Sequence, residues 1–133
     1  MTKRIVVVIG AFHKKESEIM LEEVRLGAAA HDVEIVEIVW VPGSLEQPLA
    51  LKRALSREDI DGAIALGIIE RGETKHGLVM GQAVIQSIIN LQLEFMKPIG
   101  VGILGPEILP EQIQPRLLPH ARGAINAVAA MMK

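Results

Sequence analysis

Residues 62–95 read GAIALGIIERGETKHGLVMGQAVIQSIINLQLEF and contain the pattern that decides the fold. The stretch opens with a short apolar run, which predicts a strand over Gly62–Ile69. A polar loop from Glu70 to Lys75 follows. Apolar residues then recur at helical spacing, which predicts a long helix from about His76 to Phe95. The stretch is therefore one strand–loop–helix unit.

The same alternation of a strand and a helix recurs along the rest of the chain. The first run, Ile5–Ile9, is continuously apolar, as expected of a strand buried on both faces of a parallel sheet. Further strands are predicted over Val33–Trp40 and Pro98–Leu104. One helix is predicted from Lys14. A second follows a turn at residues 41–44, in which Ser44 is expected to cap the helix. A last helical region reaches Met132, with interruptions near Pro115 and Pro119.

Four such units predict a three-layer α/β sandwich of the flavodoxin-like type, with a four-stranded parallel sheet and helices on both faces. The length of 133 residues fits one domain over residues 1–133. Sheets of this kind bind ligands beyond the carboxyl ends of their strands. The loops to search are therefore 10–14, 41–46, 67–76 and 104–110.

Composition restricts the classes of function. Half of the residues are hydrophobic and the mean hydropathy is +0.34, so a domain this small is expected to cover apolar surface with other subunits. No apolar run is long enough for a membrane helix, and the net charge of −2 with scattered basic residues argues against nucleic acid. The chain has no cysteine, which excludes thiol chemistry. The amino terminus lacks the pattern of a signal peptide, so a cytoplasmic location is expected.

The third loop, residues 67–76, carries the densest chemistry. Gly72 allows close approach of the backbone to a ligand, and the N–H groups of Gly72, Glu73 and Thr74 are expected to point toward an anion at the start of a helix. His76 can give and take a proton near neutral pH. Taken alone, the loop fits an ordinary capped helix with a solvent-facing histidine equally well.

Two longer motifs extend this observation. The segment Gly67-Ile-Ile-Glu-Arg-Gly-Glu-Thr-Lys-His76 and the turn Val41-Pro-Gly-Ser-Leu-Glu-Gln-Pro48 both resemble signatures of the lumazine synthase family. Phe12 matches the aromatic residue that follows the first strand in that family, and Arg116 matches its phosphate-binding arginine near the carboxyl terminus. The resemblance covers nearly the whole chain.

The resemblance implies a transferase that condenses 5-amino-6-ribitylaminouracil with 3,4-dihydroxy-2-butanone 4-phosphate to 6,7-dimethyl-8-ribityllumazine, without metal or cofactor. It implies that His76 is the general acid/base and that Arg116 binds phosphate with the backbone of Glu73 and Thr74. The other implied substrate-binding residues are Phe12, Ser44, Leu45, Glu46, Ile68, Ile69, Glu70 and Val101. His76 and Arg116 are expected to converge on one phosphate-sized hollow.

Three positions depart from the family pattern. His13 stands where asparagine is usual, Glu70 where an apolar residue is usual, and Val101 where a neighbouring subunit commonly contributes an aromatic residue. These departures lie near the expected position of the pyrimidine ring. They leave His76 and the phosphate-binding residues unchanged.

The resemblance also implies an assembly. Members of the family form homo-pentamers with active sites between adjacent subunits, and some build a shell of sixty subunits. The predicted helix at residues 76–95 is apolar around most of its girth, which independently favours a neighbouring subunit.

Two other functions stay open at this point. One is a non-catalytic scaffold of the same fold, natural or engineered, which the three departures favour. The other is an archaeal-type riboflavin synthase, which would lack the Glu-Thr-x-His loop. A flavodoxin-like carrier and a phosphoacceptor receiver domain fit poorly, because the loop after the first strand and the end of the third strand lack the residues they need.

Overall fold

The computed structural model describes all residues 1–133 and contains four strands, as the sequence predicts. The strands are β1 (Lys3–Gly10), β2 (Val33–Val41), β3 (Gly62–Glu70) and β4 (Ile99–Ile108). All pair in parallel, in the order β2-β1-β3-β4. The predicted four-stranded parallel sheet is confirmed.

Five helices connect and cover the strands. They are α1 (Lys14–Ala30), α2 (Gln47–Leu55), α3 (His76–Phe95), the short α4 (Pro110–Ile113) and α5 (Leu117–Met131). Three-residue 3-10 turns precede α2 and α5, at Ser44–Glu46 and Gln114–Arg116. None of the helices has the length and apolar character needed to span a bilayer.

The sheet separates two aliphatic cores. On one face α1 and α5 pack on alternate residues of the strands, such as Val7, Ile64 and Leu104. On the other face α2 and α3 pack on the intervening residues, such as Val8 and Ala65. Because both faces are covered, β1 and β3 are buried almost throughout, which explains their unbroken apolar runs. The predicted three-layer sandwich is confirmed.

The end of β4 differs from the sequence prediction. The strand was expected to stop at Leu104, but pairing resumes beyond the break, where Ile108 pairs with Glu70. Gly105 adopts a positive φ of 91°, a conformation that glycine tolerates. The register shifts between Ile68 and Glu70 of β3, so that the additional residues of β4 between Leu104 and Ile108 are accommodated. Pro106 is acceptable because β4 is an edge strand, whose outer N–H groups need no ladder partner.

Two expectations for helix boundaries need correction. Ser44 does not cap α2; it begins a 3-10 turn, and its side chain makes no capping hydrogen bond. The carboxyl-terminal helical region is interrupted at Pro115, as expected, but not at Pro119. Pro119 lies in the first turn of α5, where a backbone N–H has no partner within the helix.

An ion-pair cluster lies where the chain passes from α2 into β3. The hydrogen bonds and charge of Arg57 lower the pKa of Asp59, and the bonds to Asp59 and Glu37 raise the pKa of Arg57. Arg4, at the start of β1, also pairs with Asp59 at 3.7 Å. The cluster therefore joins the first two strands to the segment before the third, at the amino-terminal edge of the sheet.

β4 and α5 approach each other closely at Gly100. A Cβ atom at this position would overlap the carbonyl oxygen of Ala124, which is backbone and has no rotamer by which to move away. The absence of a side chain at Gly100 therefore sets the distance between the edge strand and the helix that covers it.

Gly100→Ala is expected to lower the free energy of unfolding by about 1–3 kcal/mol, because α5 must shift away from the sheet. The matched control is Gly123→Ala in α5, where an added Cβ has nothing within 4 Å. That change is expected to raise stability by about 0.5–1 kcal/mol, as alanine favours helix. Urea unfolding at one protein concentration measures both, and equal effects of the two substitutions would contradict the steric account.

Candidate active site

A hollow of about 230 Å³ opens at the carboxyl ends of β1 and β3. The sheet order changes direction between these strands, since β1 leads outward to β2 on one side and β3 leads to β4 on the other. The hollow is lined by residues that follow β1 and β2, by one residue near the end of β3 and by one residue of α3. They are Phe12, Gly43, Ser44, Leu45, Glu46, Ile68 and Met80. Five sequence-predicted substrate-binding residues are thus brought together by the topology.

Phe12 presents its ring to this hollow from the loop after β1. Its side chain is 71% exposed, so the core does not hold the ring. Instead the backbone around it is fixed: Ala11 donates a hydrogen bond to the carbonyl of Val41 at 2.8 Å, and the carbonyl of His13 accepts from Ser17 at 3.0 Å to begin α1. An exposed, fixed aromatic face is suited to stacking on a planar ligand.

The turn after β2 supplies the polar wall of the hollow. Ser44 is buried and Leu45 is exposed, and the Glu46 backbone N–H bonds to the carbonyl of Gly43 at 3.2 Å. A carboxylate oxygen of Glu46 lies close over Gly43, 3.5 Å from where a Cβ would be. The turn therefore places one carboxylate and one hydroxyl beside the hollow.

Gln47 anchors this turn to the sheet. It is fully buried, and its Nε2 donates a 2.8 Å hydrogen bond to the carbonyl of Leu66 in β3. The Oε1 atom of the same side chain has no partner within the chain. The sequence analysis did not single out Gln47, although a polar residue between Glu46 and Pro48, on the inner face of a helix, was an available signal.

The loop between β3 and α3 lies exposed next to the hollow. Ile69 is buried, whereas residues 71–76 are exposed. The N–H groups of Gly72, Glu73 and Thr74 donate no hydrogen bond within the chain. They lie before the first turn of α3 rather than in it, because α3 begins at His76.

His76 begins α3 with its side chain exposed. Its backbone N–H bonds to the Thr74 hydroxyl at 3.3 Å, which ties the start of the helix to the loop. Its imidazole makes no hydrogen bond within the chain and is open to a substrate. The three free N–H groups and an imidazole thus occur within five consecutive residues, 72–76.

Arg116 lines a second hollow of about 260 Å³, with Gly105, Pro106, Glu107, Ile108, Gln112 and His120. Its guanidinium donates to the carbonyl of Gln112 at 3.0 Å. This hollow shares no lining residue with the one at Phe12. His76 lines neither of these two hollows, so neither is lined by both residues, and their expected convergence on one hollow stays a prediction.

Val101 also lies away from the hollow at Phe12. It is half-buried in β4 and packs toward the α2–α3 core. Three further helical residues line the hollows: Met80 at the first, and Gln112 and His120 at the second. The sequence does not mark them as site residues, since which face of a helix meets a cavity depends on the packing of the whole fold.

Comparison with known proteins adds the family. The sequence model of 6,7-dimethyl-8-ribityllumazine synthase matches residues 2–133. The chain belongs to that family. A relative from Picrophilus torridus, named 6,7-dimethyl-8-ribityllumazine synthase, is 36% identical over 130 residues, covering 98% of this chain and 95% of the relative. One of the same name from Methanoculleus marisnigri is 32% identical over 133 residues, covering 100% and 98%. Another, from Metallosphaera sedula, is 35% identical over 127 residues, covering 96% and 84%.

Membership in the lumazine synthase family places the chain among the transferases of riboflavin biosynthesis. The recognition made from the two motifs is thereby confirmed. The hollow at Phe12 is also lined by Gly43 to Glu46, the middle of the Val-Pro-Gly-x-x-Glu-x-Pro turn, so one family motif and one cavity overlap.

Gln47→Ala is expected to lower the free energy of unfolding by about 1–3 kcal/mol, because the buried carbonyl of Leu66 loses its donor. The turn that carries Ser44 and Glu46 should loosen as well. Thermal unfolding and amide hydrogen exchange of residues 43–47 measure the two effects. Gln86→Ala, which removes an exposed amide bonded to Asn90 at 3.1 Å, is the matched control and should change neither. Unchanged exchange in the Gln47 variant would show that this side chain does not anchor the turn.

Proposed function

We propose that this chain condenses 5-amino-6-ribitylaminouracil with 3,4-dihydroxy-2-butanone 4-phosphate to form 6,7-dimethyl-8-ribityllumazine. The observation that supports the proposal most is the hollow between β1 and β3, which joins an exposed aromatic ring, a hydroxyl and a carboxylate. A planar heterocycle with a polyhydroxyl chain needs these three kinds of group. The free N–H groups and the imidazole of the next loop suit the phosphorylated partner.

The pyrimidine substrate occupies the hollow. Its ring stacks on Phe12, and the backbone groups of Ile68, Ile69 and Glu70 meet its polar edge. The ribityl hydroxyls donate to the carboxylate of Glu46, next to Ser44 and Leu45. This arrangement needs no protein nucleophile, because the two reactants are held in contact and positioning supplies the main rate advantage.

The phosphate of the second substrate lies at the loop after β3. The backbone N–H groups of Glu73 and Thr74 donate to its oxygens, and a guanidinium of Arg116 adds a bidentate contact. The substrate ketone then faces the 5-amino group of the pyrimidine. Their condensation releases one water and forms an imine. Loss of a proton and of phosphate leaves an enol, which tautomerises to a ketone. The ribitylamino nitrogen then attacks this carbonyl, and loss of a second water closes the ring. His76 accepts and returns protons during these steps.

The complete site requires a second subunit. Arg116 and Val101 lie apart from the hollow at Phe12, so a neighbouring copy supplies them. The exposed apolar residues of α3 suit such an interface, namely Val79, Ile89 and Leu93. We propose a homo-pentamer as the working assembly, which also serves as the unit of any shell of sixty subunits.

His76→Ala is expected to lower kcat by about 10²- to 10⁴-fold with little change in KM, because proton transfer is lost while both substrates still bind. Product formation is followed by lumazine fluorescence. Assembly should be unchanged, as measured by mass in solution. His31→Ala, which removes a histidine bonded to Asn126 at 2.9 Å, is the control.

Three results would contradict the proposal. A wild-type protein that forms no lumazine from the two substrates, but converts lumazine to riboflavin, would be a riboflavin synthase. A His76 variant with the wild-type rate would remove the imidazole from the chemistry. A wild-type protein that assembles but shows neither activity would be a scaffold.

Co-expression of two inactive variants tests the shared site. His76→Ala and Arg116→Gln subunits each lack one group, so in a randomly mixed ring about a quarter of the sites regain both if the groups come from neighbouring subunits. The mixed preparation should therefore show about a quarter of the wild-type activity. Differently tagged subunits and two-step purification ensure that only mixed rings are measured. Activity no higher than the average of the two variants would place both groups within one subunit.

A further inference from the structure

The imidazole of His13 and the carboxylate of Glu70 meet at the rim of the hollow. The Nε2 atom of His13 lies 3.2 Å from Oε1 of Glu70, and the side chains are only 22% and 34% exposed. The contact joins the loop after β1 to the end of β3. Neither side chain lines the hollow itself, and of the two residues only the backbone of Glu70 takes part in the substrate contacts proposed above.

The backbone of His13 is held in an unusual conformation. Its φ of 63° and ψ of 47° are left-handed, a conformation that is disfavoured for a residue with a Cβ. The imidazole makes no capping hydrogen bond to α1 that would offset this cost. Two contacts of the imidazole can therefore hold His13 in place. One is the contact with Glu70, and the other is an edge-on contact with Phe12, at 5.4 Å between ring centroids.

Glu70 is a fixed partner. Its residue pairs with Ile108 in β4, and its carbonyl lies against Gly77, where a Cβ would come within 2.9 Å. The next residue, Arg71, donates to the carbonyl of Ile108 at 2.8 Å. The backbone that carries the carboxylate is thus held by both β4 and α3.

We propose that the His13–Glu70 pair is a positioning element that sets the ring of Phe12 for the pyrimidine substrate. Phe12 is too exposed to be fixed by packing, and it lies between Ala11, which is bonded to β2, and His13, which is held by Glu70 at the end of β3. The two side chains affect binding of the pyrimidine through Phe12 and do not themselves touch the substrate. This inference rests on the proposed function, since it assumes that Phe12 stacks on the pyrimidine.

A double-mutant cycle tests the pair. The variants are His13→Asn, Glu70→Ala and both together; asparagine tolerates the left-handed conformation, so the backbone is not strained further. The dissociation constant of anaerobic 5-amino-6-ribitylaminouracil is measured for all variants in one buffer at one pH. Each single change should raise it about three- to fivefold, and the double change should be no worse than the worse single one. The KM of the butanone phosphate should stay unchanged.

The same variants in a Phe12→Ala background test the route. If the pair acts through Phe12, Glu70→Ala should have no further effect once the ring is gone. Glu34→Gln, which breaks the 3.1 Å ion pair with Arg4 at the opposite edge of the sheet, is the control for loss of a surface pair and should not change binding. Solution mass and melting temperature are compared for all variants.

Each remaining outcome has one meaning. Single changes without effect, effects that multiply in the double variant, or an effect that persists without Phe12 would each overturn the positioning role while leaving the proposed function intact. A wild-type protein that binds no ribitylaminouracil would overturn the proposed function, and this inference with it.

Discussion

The parallel pairing of β1 with β3 is the constraint on which the rest of the structure depends. Five residue pairs, from Ile5 with Gly62 to Ile9 with Leu66, join the two strands in the centre of the sheet, and all ten residues are buried. Because the chain leaves these strands toward opposite edges of the sheet, their carboxyl ends have no helix crossing between them. The hollow at Phe12 is a consequence of this topology. The turn that carries Ser44 and Glu46 reaches it from the neighbouring strand β2.

The structure separates what one subunit supplies from what it does not. The hollow, the free N–H groups and His76 all lie at the carboxyl ends of β1, β2 and β3, three strands that are neighbours in the sheet. Arg116 follows the edge strand β4 and faces a different hollow. In the assembly that we propose, a neighbouring subunit brings the guanidinium to the loop at residues 72–74. It also covers the exposed apolar residues of α3, a surface that is costly to leave in water.

The sequence predicted the elements whose pattern is local and strong. Strands β1 and β3 could be located because burial on both faces of the sheet gives each an unbroken apolar run. Helix α3 could be located because its buried residues recur at helical spacing. The far end of β4 could not, because Pro106 and a glycine at positive φ are typical of loops, and only pairing with Glu70 makes this segment a strand. The candidate site residues were predicted from motifs. Their grouping into two hollows depends on tertiary packing, as does the contact between His13 and Glu70, which no local pattern records.

The loop that follows β3 is tied on both sides by consecutive residues. Glu70 contacts His13 toward β1, and Arg71 pairs with Glu107 toward β4, at 3.4 Å. Parallel strands end in unpaired peptide groups, and a loop there is normally the most mobile part of a sheet. Here one ion pair holds the start of the loop toward β1 and the other holds it toward β4, and the backbone N–H of Arg71 donates to the carbonyl of Ile108. Gly72, Glu73 and Thr74 extend from this fixed base. Donors on a fixed base need little reordering to bind an anion, so for the phosphate site that we propose these ion pairs hold the base of the loop rather than add charge.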